Sequence, residues 1–137
     1  MTTFAVLESF LALRRTIALL RAAETKGIEF GHNQIAVLYK LSLANATMSE
    51  LVEYTYSDKA AMTRTVASLE KMGFVKRLVN EEDRRSAIVA LTPKGKNRAD
   101  IALEIRNAIG KKLDGCLTPG EREQFLSLVK KIGRNLK

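Results

Sequence analysis

Apolar positions recur with a helical period along most of the chain. Over residues 3–26, Phe10, Leu13, Ile17 and Leu20 fall at spacings of three and four, which predicts an amphipathic helix. Val6 and Leu7 lie off that stripe and predict cover on more than one side, and Gly27 is a natural stop. A second helix is predicted from His32 to about Leu43, with Ile35, Leu38, Tyr39 and Ser42 on one face. Thr47-Met48-Ser49-Glu50 has the form of a capping box and opens a short third helix that ends near Tyr54. The fourth starts near Ser57 or Asp58, both good caps. It turns Ala61, Val66, Leu69 and Met72 inward and closes at Gly73. Only a few residues separate the third and fourth helices, the spacing of a helix-turn-helix.

The period then changes to two. Residues 75–79 and 87–91 are short and β-branched, and residues 80–86 between them are charged or polar, which predicts a hairpin with a solvated tip. Thr92-Pro93 supplies a cap and a first-turn proline for a helix reaching about Leu113, with Ala102, Ile105, Ile109 and Leu113 on one side. Thr118-Pro119-Gly120-Glu121 is a second capping box. The last helix carries Phe125, Leu128, Val129, Ile132 and Leu136 as an apolar stripe. The predicted order is α-α-α-α-β-β-α-α. The fold class is mainly α with a small β-hairpin wing (α+β). The expectation is one domain, 1–137, with a winged helix-turn-helix over about 30–92 between flanking helical segments, 1–29 and 93–137.

Composition sharpens this. Of 137 residues, 46% are hydrophobic, which sets the chain apart from disordered proteins. Lys and Arg number 23 against 15 Asp and Glu, a net charge of +8, which favours an anionic partner such as nucleic acid. The excess is local. Residues 1–56 are neutral, 57–98 carry +5, 99–110 carry −1 and 111–137 carry +4. No apolar run approaches the ~18 residues of a membrane span, and the first arginines, Arg14 and Arg15, follow an apolar stretch rather than precede it, unlike a signal peptide. With the single Cys116 unable to form an intrachain disulfide, the expected location is cytoplasmic.

The second helix of a helix-turn-helix enters the major groove and reads base edges near its N-terminus. Here that helix begins at Ser57. Lys59 and Arg64 can donate to guanine or phosphate, and Thr63 can meet a base or a methyl group. The small Ala60 and Ala61 permit close approach to a duplex. In the wing, Arg84 and Arg85 sit where an arginine is drawn into a narrow, A·T-rich minor groove. Asp83 opposes phosphate, so a bare electrostatic patch does not account for it. A carboxylate there can hold a neighbouring guanidinium in a fixed orientation. The structural alternatives are a solvated basic helix face and a turn that Asp83 merely bends.

The sequence resembles the MarR family of winged helix-turn-helix transcriptional regulators. The family's wing signature is Asp-x-Arg, five residues, then Leu-Thr, and Asp83, Arg85, Leu91 and Thr92 stand at those spacings, followed by Lys94-Gly95. In the reading helix Asp58-Lys59-Ala60, Thr63-Arg64, Val66, Leu69-Glu70-Lys71 and Gly73 fit the pattern, as do Phe30, Gln34 and Leu38 in the second helix. Gly31 departs from it, standing where the family often has a threonine cap, which predicts a less firm start to that helix. The resemblance covers essentially the whole chain. It implies a homodimer whose first, fifth and sixth helices interlock and an operator of two inverted half-sites. It also implies a repressor released by a small lipophilic or phenolic effector. By the same resemblance Arg85 is the wing arginine in the minor groove and Asp83 its support; Arg84 beside them reads as a phosphate contact. Ser57, Lys59, Ala61, Thr63 and Arg64 belong to the reading helix, which spans about residues 57–73. The terminal helices support a dimer independently, because their apolar stripes exceed what a small winged domain needs to cover.

Other readings stay open beside it. A winged module that binds protein without reading DNA fits the same elements. A thiol-based redox regulator would act through Cys116, although the expected place of that residue is small and partly buried, and a reactive thiol needs exposure and a lowered pKa. His32, the single histidine, is expected to cap the second helix or to contact phosphate. One His and one Cys do not make a zinc site. No cofactor is expected, and no phosphate-binding loop, zinc-protease motif or nucleophile arrangement nominates an enzyme.

Overall fold

A computed structural model describes residues 3–137. The elements are α1 (Ala5–Glu24), α2 (His32–Leu43), β1 (Ala46–Thr47), α3 (Met48–Thr55), α4 (Lys59–Lys71), β2 (Val75–Leu78), β3 (Ile88–Leu91), α5 (Pro93–Asp114) and α6 (Pro119–Asn135). The chain is mainly helical with one small antiparallel sheet. It divides into two compact units, one running to Ile105 and the other Arg106–Lys137.

The sheet has three strands in the order β1-β3-β2, one more than the hairpin pattern predicts. Val75 pairs with Leu91 and Leu78 with Ile88, and on the other edge Ala46 pairs with Val89 and Thr47 with Ile88. The central strand β3 is therefore hydrogen-bonded on both sides, and Val89, Ala90 and Leu91 are all buried. Thr47 serves twice, because its side chain also caps α3 in the predicted box with Glu50.

In the first unit the core forms between α2, α3, α4 and the sheet, around Val37, Leu38, Leu51, Met62, Val66, Leu69 and Val89. Two predicted faces are corrected. On α2 the buried residues are Ile35 to Leu38 and Leu41, while Tyr39 is half-buried and Ser42 exposed; helices, sheet and loop pack around a broad face, not a narrow stripe. On α4 the buried residues are Met62, Val66 and Leu69. The long Met62 side chain takes the interior place expected for Ala61, which is half-buried, as is Met72. No residue of α1 is buried within the chain, and Phe10 and Leu13 of its predicted stripe are exposed.

Helix α4 ends in a left-handed Gly73 at φ 84°. The Phe74 N–H donates to Leu69 O and the Gly73 N–H to Glu70 O, both at 3.0 Å, the paired bonds of a Schellman turn. The start of α5 fastens onto that turn. The Thr92 N–H donates to Phe74 O at 3.0 Å, the Thr92 hydroxyl to Gly73 O at 2.6 Å, and Lys94 Nζ to Met72 O at 3.0 Å. The Thr92 oxygen in turn accepts the Gly95 N–H at 3.0 Å, so the predicted cap of α5 is present and also joins two helices. Gly95, Ala99, Ala102 and Ile105 form the buried side of α5, whereas Ile109 is half-buried and Leu113 exposed.

In the second unit a turn closed by Gly115 N–H to Lys111 O and Cys116 N–H to Leu113 O leads to α6. Thr118 and Glu121 cap each other as predicted. No residue of α6 is buried, and Phe125, Leu128, Val129 and Ile132 remain exposed. Among the described residues no helix is long and apolar enough to cross a membrane.

Candidate nucleic-acid interface

The start of α4 is fixed before any partner arrives. Asp58 Oδ1 accepts the Ala61 N–H at 2.7 Å, which satisfies a free amide and favours the positive end of the helix. Lys59, Ala60, Thr63, Arg64 and Ala67 are exposed and form one face. The exposed Thr63 donates its hydroxyl proton to Lys59 O at 2.8 Å, so its oxygen still has capacity to accept. Two residues expected on this surface are less available. Ala61 is half-buried, and Ser57 is half-buried with its hydroxyl 2.8 Å from that of Thr55.

In the loop between β2 and β3, Asp83 Oδ1 accepts both the Arg85 N–H at 3.1 Å and the Arg85 Nε–H at 3.3 Å. One carboxylate oxygen thus fixes the loop backbone and the root of the guanidinium together. The Arg85 side chain is 94% exposed, so its terminal nitrogens are free to meet a ligand. Arg84 is tied to Glu81 by an exposed pair at 3.3 Å, a screened contact that a phosphate can displace at small cost.

Sequence patterns missed a shallow cavity of about 460 Å³ beside α4, lined by Gly31 and the first residues of α2, His32 to Gln34, and by Arg64, Thr65 and Ser68. Gln34 organises it. Its Oε1 accepts the Gly31 N–H at 2.9 Å and its Nε2 donates to Ser68 Oγ at 3.0 Å. Gln34 thus satisfies the Gly31 N–H, the reciprocal half of a capping box, while Gly31 itself offers no side-chain acceptor to the first amides of α2. His32 is not the cap; it is the first residue of α2, with Nε2 3.1 Å from Arg21 Nη1.

A second cavity, about 440 Å³, lies between the end of α2, the sheet and the start of α5. Leu41, Leu78 and Leu91 line it with Lys76, Lys96 and Asp100. Cys116 is exposed, contrary to expectation, because the α5–α6 turn carries it; its thiol donates to Lys112 O at 3.2 Å. Among the described residues no group of three or more His, Cys, Asp or Glu is arranged to hold a metal ion.

Residues 31–87 match the family model described as MarR family. The transcriptional regulator HosA of Escherichia coli O127:H6 is 32% identical over 82 residues, covering 60% of this chain and 61% of that protein. The phenylalanine–tRNA ligase alpha subunit of Pyrococcus horikoshii is 38% identical over 102 residues, 73% of this chain but 20% of the ligase subunit. The chain thus spans three fifths of the one relative and a fifth of the other. Among solved structures, AbsC, a MarR family transcriptional regulator from Streptomyces coelicolor, superposes with a TM-score of 0.86 at 20% identity, over 99% of this chain and 96% of AbsC. MepR in its DNA complex from S. aureus superposes at 0.82 with 17% identity, over 98% and 99%. At those identities the likeness is one of fold.

Proposed function

We propose, from the premise that this chain belongs to the MarR family through residues 31–87, that it regulates transcription by binding duplex DNA as a cytoplasmic homodimer. Family membership makes it a regulator and not an enzyme. The observation that carries the reading is the wing, where Asp83 holds the base of an otherwise exposed Arg85. A guanidinium whose orientation is set in advance loses less freedom on entering a minor groove. Helix α4 supplies the complementary major-groove surface through Lys59, Thr63 and Arg64, with Arg84 on phosphate. The DNA complex of the structurally similar MepR supports the same use of the fold. The exposed apolar faces of α1 and α6 support the dimer, and a dimer asks for two inverted half-sites. This reading divides the chain into a winged part over about 30–92 and dimerisation segments at 1–29 and 93–137.

Release by a small effector is part of the proposal. The 440 Å³ cavity mixes leucines with Lys76, Lys96 and Asp100, a lining that can hold a small phenolic ligand with a lipophilic body; in this proposal the DNA-bound protein represses, and binding of such a ligand releases it. The test is fluorescence anisotropy with duplexes from upstream of the gene. Wild-type protein should bind at least one duplex specifically, with log affinity falling steeply against log salt. Arg85→Ala should weaken that complex by about 1–3 kcal/mol, most where the flanking sequence is A·T-rich. Unchanged affinity and preference in the variant would reject the wing role. Specific binding of no duplex, with capture of a structured RNA or a protein in its place, would favour an interaction module.

A further inference from the structure

Tyr56 is the non-glycine residue that the described chain holds in the left-handed region, at φ 54° and ψ 26°. A Cβ in that conformation crowds the next carbonyl, which is why glycine usually takes such positions. Its ring is also 96% exposed, so packing within the chain does not explain it. The backbone is held there from both sides. The Thr55 hydroxyl donates to Leu51 O at 2.8 Å. The Thr55 and Ser57 hydroxyls also lie 2.8 Å apart, within hydrogen-bond reach. This bridge spans Tyr56, and Asp58 then caps α4. Tyr56 also ends α3 as its left-handed C-cap, a place that glycine or asparagine fills with less strain, so an exposed aromatic in it points to a role in binding.

Its place in the motif says which function. The first helix of a helix-turn-helix crosses the sugar-phosphate strand and the start of the second enters the groove, so the turn that joins them passes the strand edge. Tyrosine hydroxyls are regular phosphate donors. We infer that Tyr56 is a phosphate anchor: its phenol donates to one DNA phosphate beside each half-site, its ring packs on the adjoining deoxyribose, and the pair sets the register of α4. This rests on the DNA-binding reading above. It adds a residue to the interface that neither charge nor motif nominates, and one that acts without a cation.

The test compares wild type, Tyr56→Phe and Tyr56→Gly on the duplex that wild type binds. Losing a hydrogen bond to a charged acceptor should weaken Tyr56→Phe about tenfold or more, by a similar factor across operator sequences. Because no cation is removed, the slope of log affinity against log salt should stay that of wild type. Tyr56→Gly relieves the backbone, so it should melt no lower than wild type and still bind weakly, which separates anchoring from folding. Replacing flanking phosphates one at a time by methylphosphonate should harm wild type at each contacted phosphate, one of them per half-site being that of Tyr56. At that position Tyr56→Phe should lose nothing further. Wild-type affinity in both variants overturns the anchor while the regulator reading stands. A loss that follows base sequence, or equal sensitivity of wild type and Tyr56→Phe to every methylphosphonate, overturns it too. A wild type that binds no duplex defeats the regulator reading first and the anchor with it.

Discussion

Gly95 has no room for a side chain: a Cβ there would lie 1.9 Å from the Phe74 carbonyl oxygen and 2.8 Å from its carbon. Backbone cannot step aside as a side-chain tip can. Gly95→Ala should therefore destabilise the fold by about 1–3 kcal/mol or more, read as a lower denaturant midpoint at unchanged slope. Gly110→Ala is the control, since a Cβ there meets nothing within 4 Å; in mid-helix it should gain roughly 0.5–1 kcal/mol. Equal effects of the two substitutions would refute the crowding argument. The Leu91-Thr92 and Lys94-Gly95 positions of the family signature are thus legible in sequence as a pattern, yet their reason is packing: Thr92, Lys94 and Gly95 all bear on the end of α4. Asp83 and Arg85 are legible for a simpler cause. They are two residues apart, and an aspartate that accepts its second neighbour's amide needs only local geometry. Tyr56 escaped sequence reading because an aromatic in a turn carries no periodic signal, and its left-handed backbone is visible only in three dimensions.

The helices whose ends are set by local chemistry were the most legible elements. Thr47 with Glu50, Asp58, and Thr118 with Glu121 each cap where the spacing predicts. The two-residue β1 was not legible, because its partner β3 is remote in sequence and two residues show no alternation. The inner face of α4 was misjudged by one residue at Ala61, since small and long apolar residues adjoin there and only packing decides which goes in. The α6 cap has a pH signature. Hydrogen bonds from the Thr118 amide and hydroxyl hold the Glu121 carboxyl below its usual value. A carboxylate whose folded pKa is depressed supports its helix above the unfolded value and withdraws that support as pH falls through the folded one. A carbon-13 titration of the Glu121 carboxyl should have its midpoint below that of an exposed glutamate, about 4.3, and Thr118→Ala should move it upward. A wild-type midpoint at or above the ordinary value would remove the cap from the account.

At the scale of the whole molecule the unsatisfied feature is apolar surface. Phe10 and Leu13 on α1 and Phe125, Leu128 and Ile132 on α6 are exposed, more than a solitary soluble chain usually presents. If a second copy covers them, a charge on that stripe should disrupt association and leave each chain folded, because the position is open within the protomer. Leu128→Glu should sediment as a folded monomer with native helical content where wild type sediments as a dimer, and its operator affinity should collapse. A wild type that stays monomeric at tens of micromolar would refute the proposed assembly. The welded junction of α4 and α5 then acquires a mechanical meaning. Thr92, Lys94 and Gly95 fasten the end of α4 to the first part of α5, so in the proposed regulator the two would turn together as one arm. From Pro93 to Ile105 that arm is about 20 Å long at 1.5 Å per residue. A tilt of about 10° at its far end swings the reading head by roughly 3.5 Å, the rise of one base pair. In the proposed dimer an effector would then need neither to touch DNA nor to unfold anything: changing that angle would put the two copies of α4 out of step with the double helix.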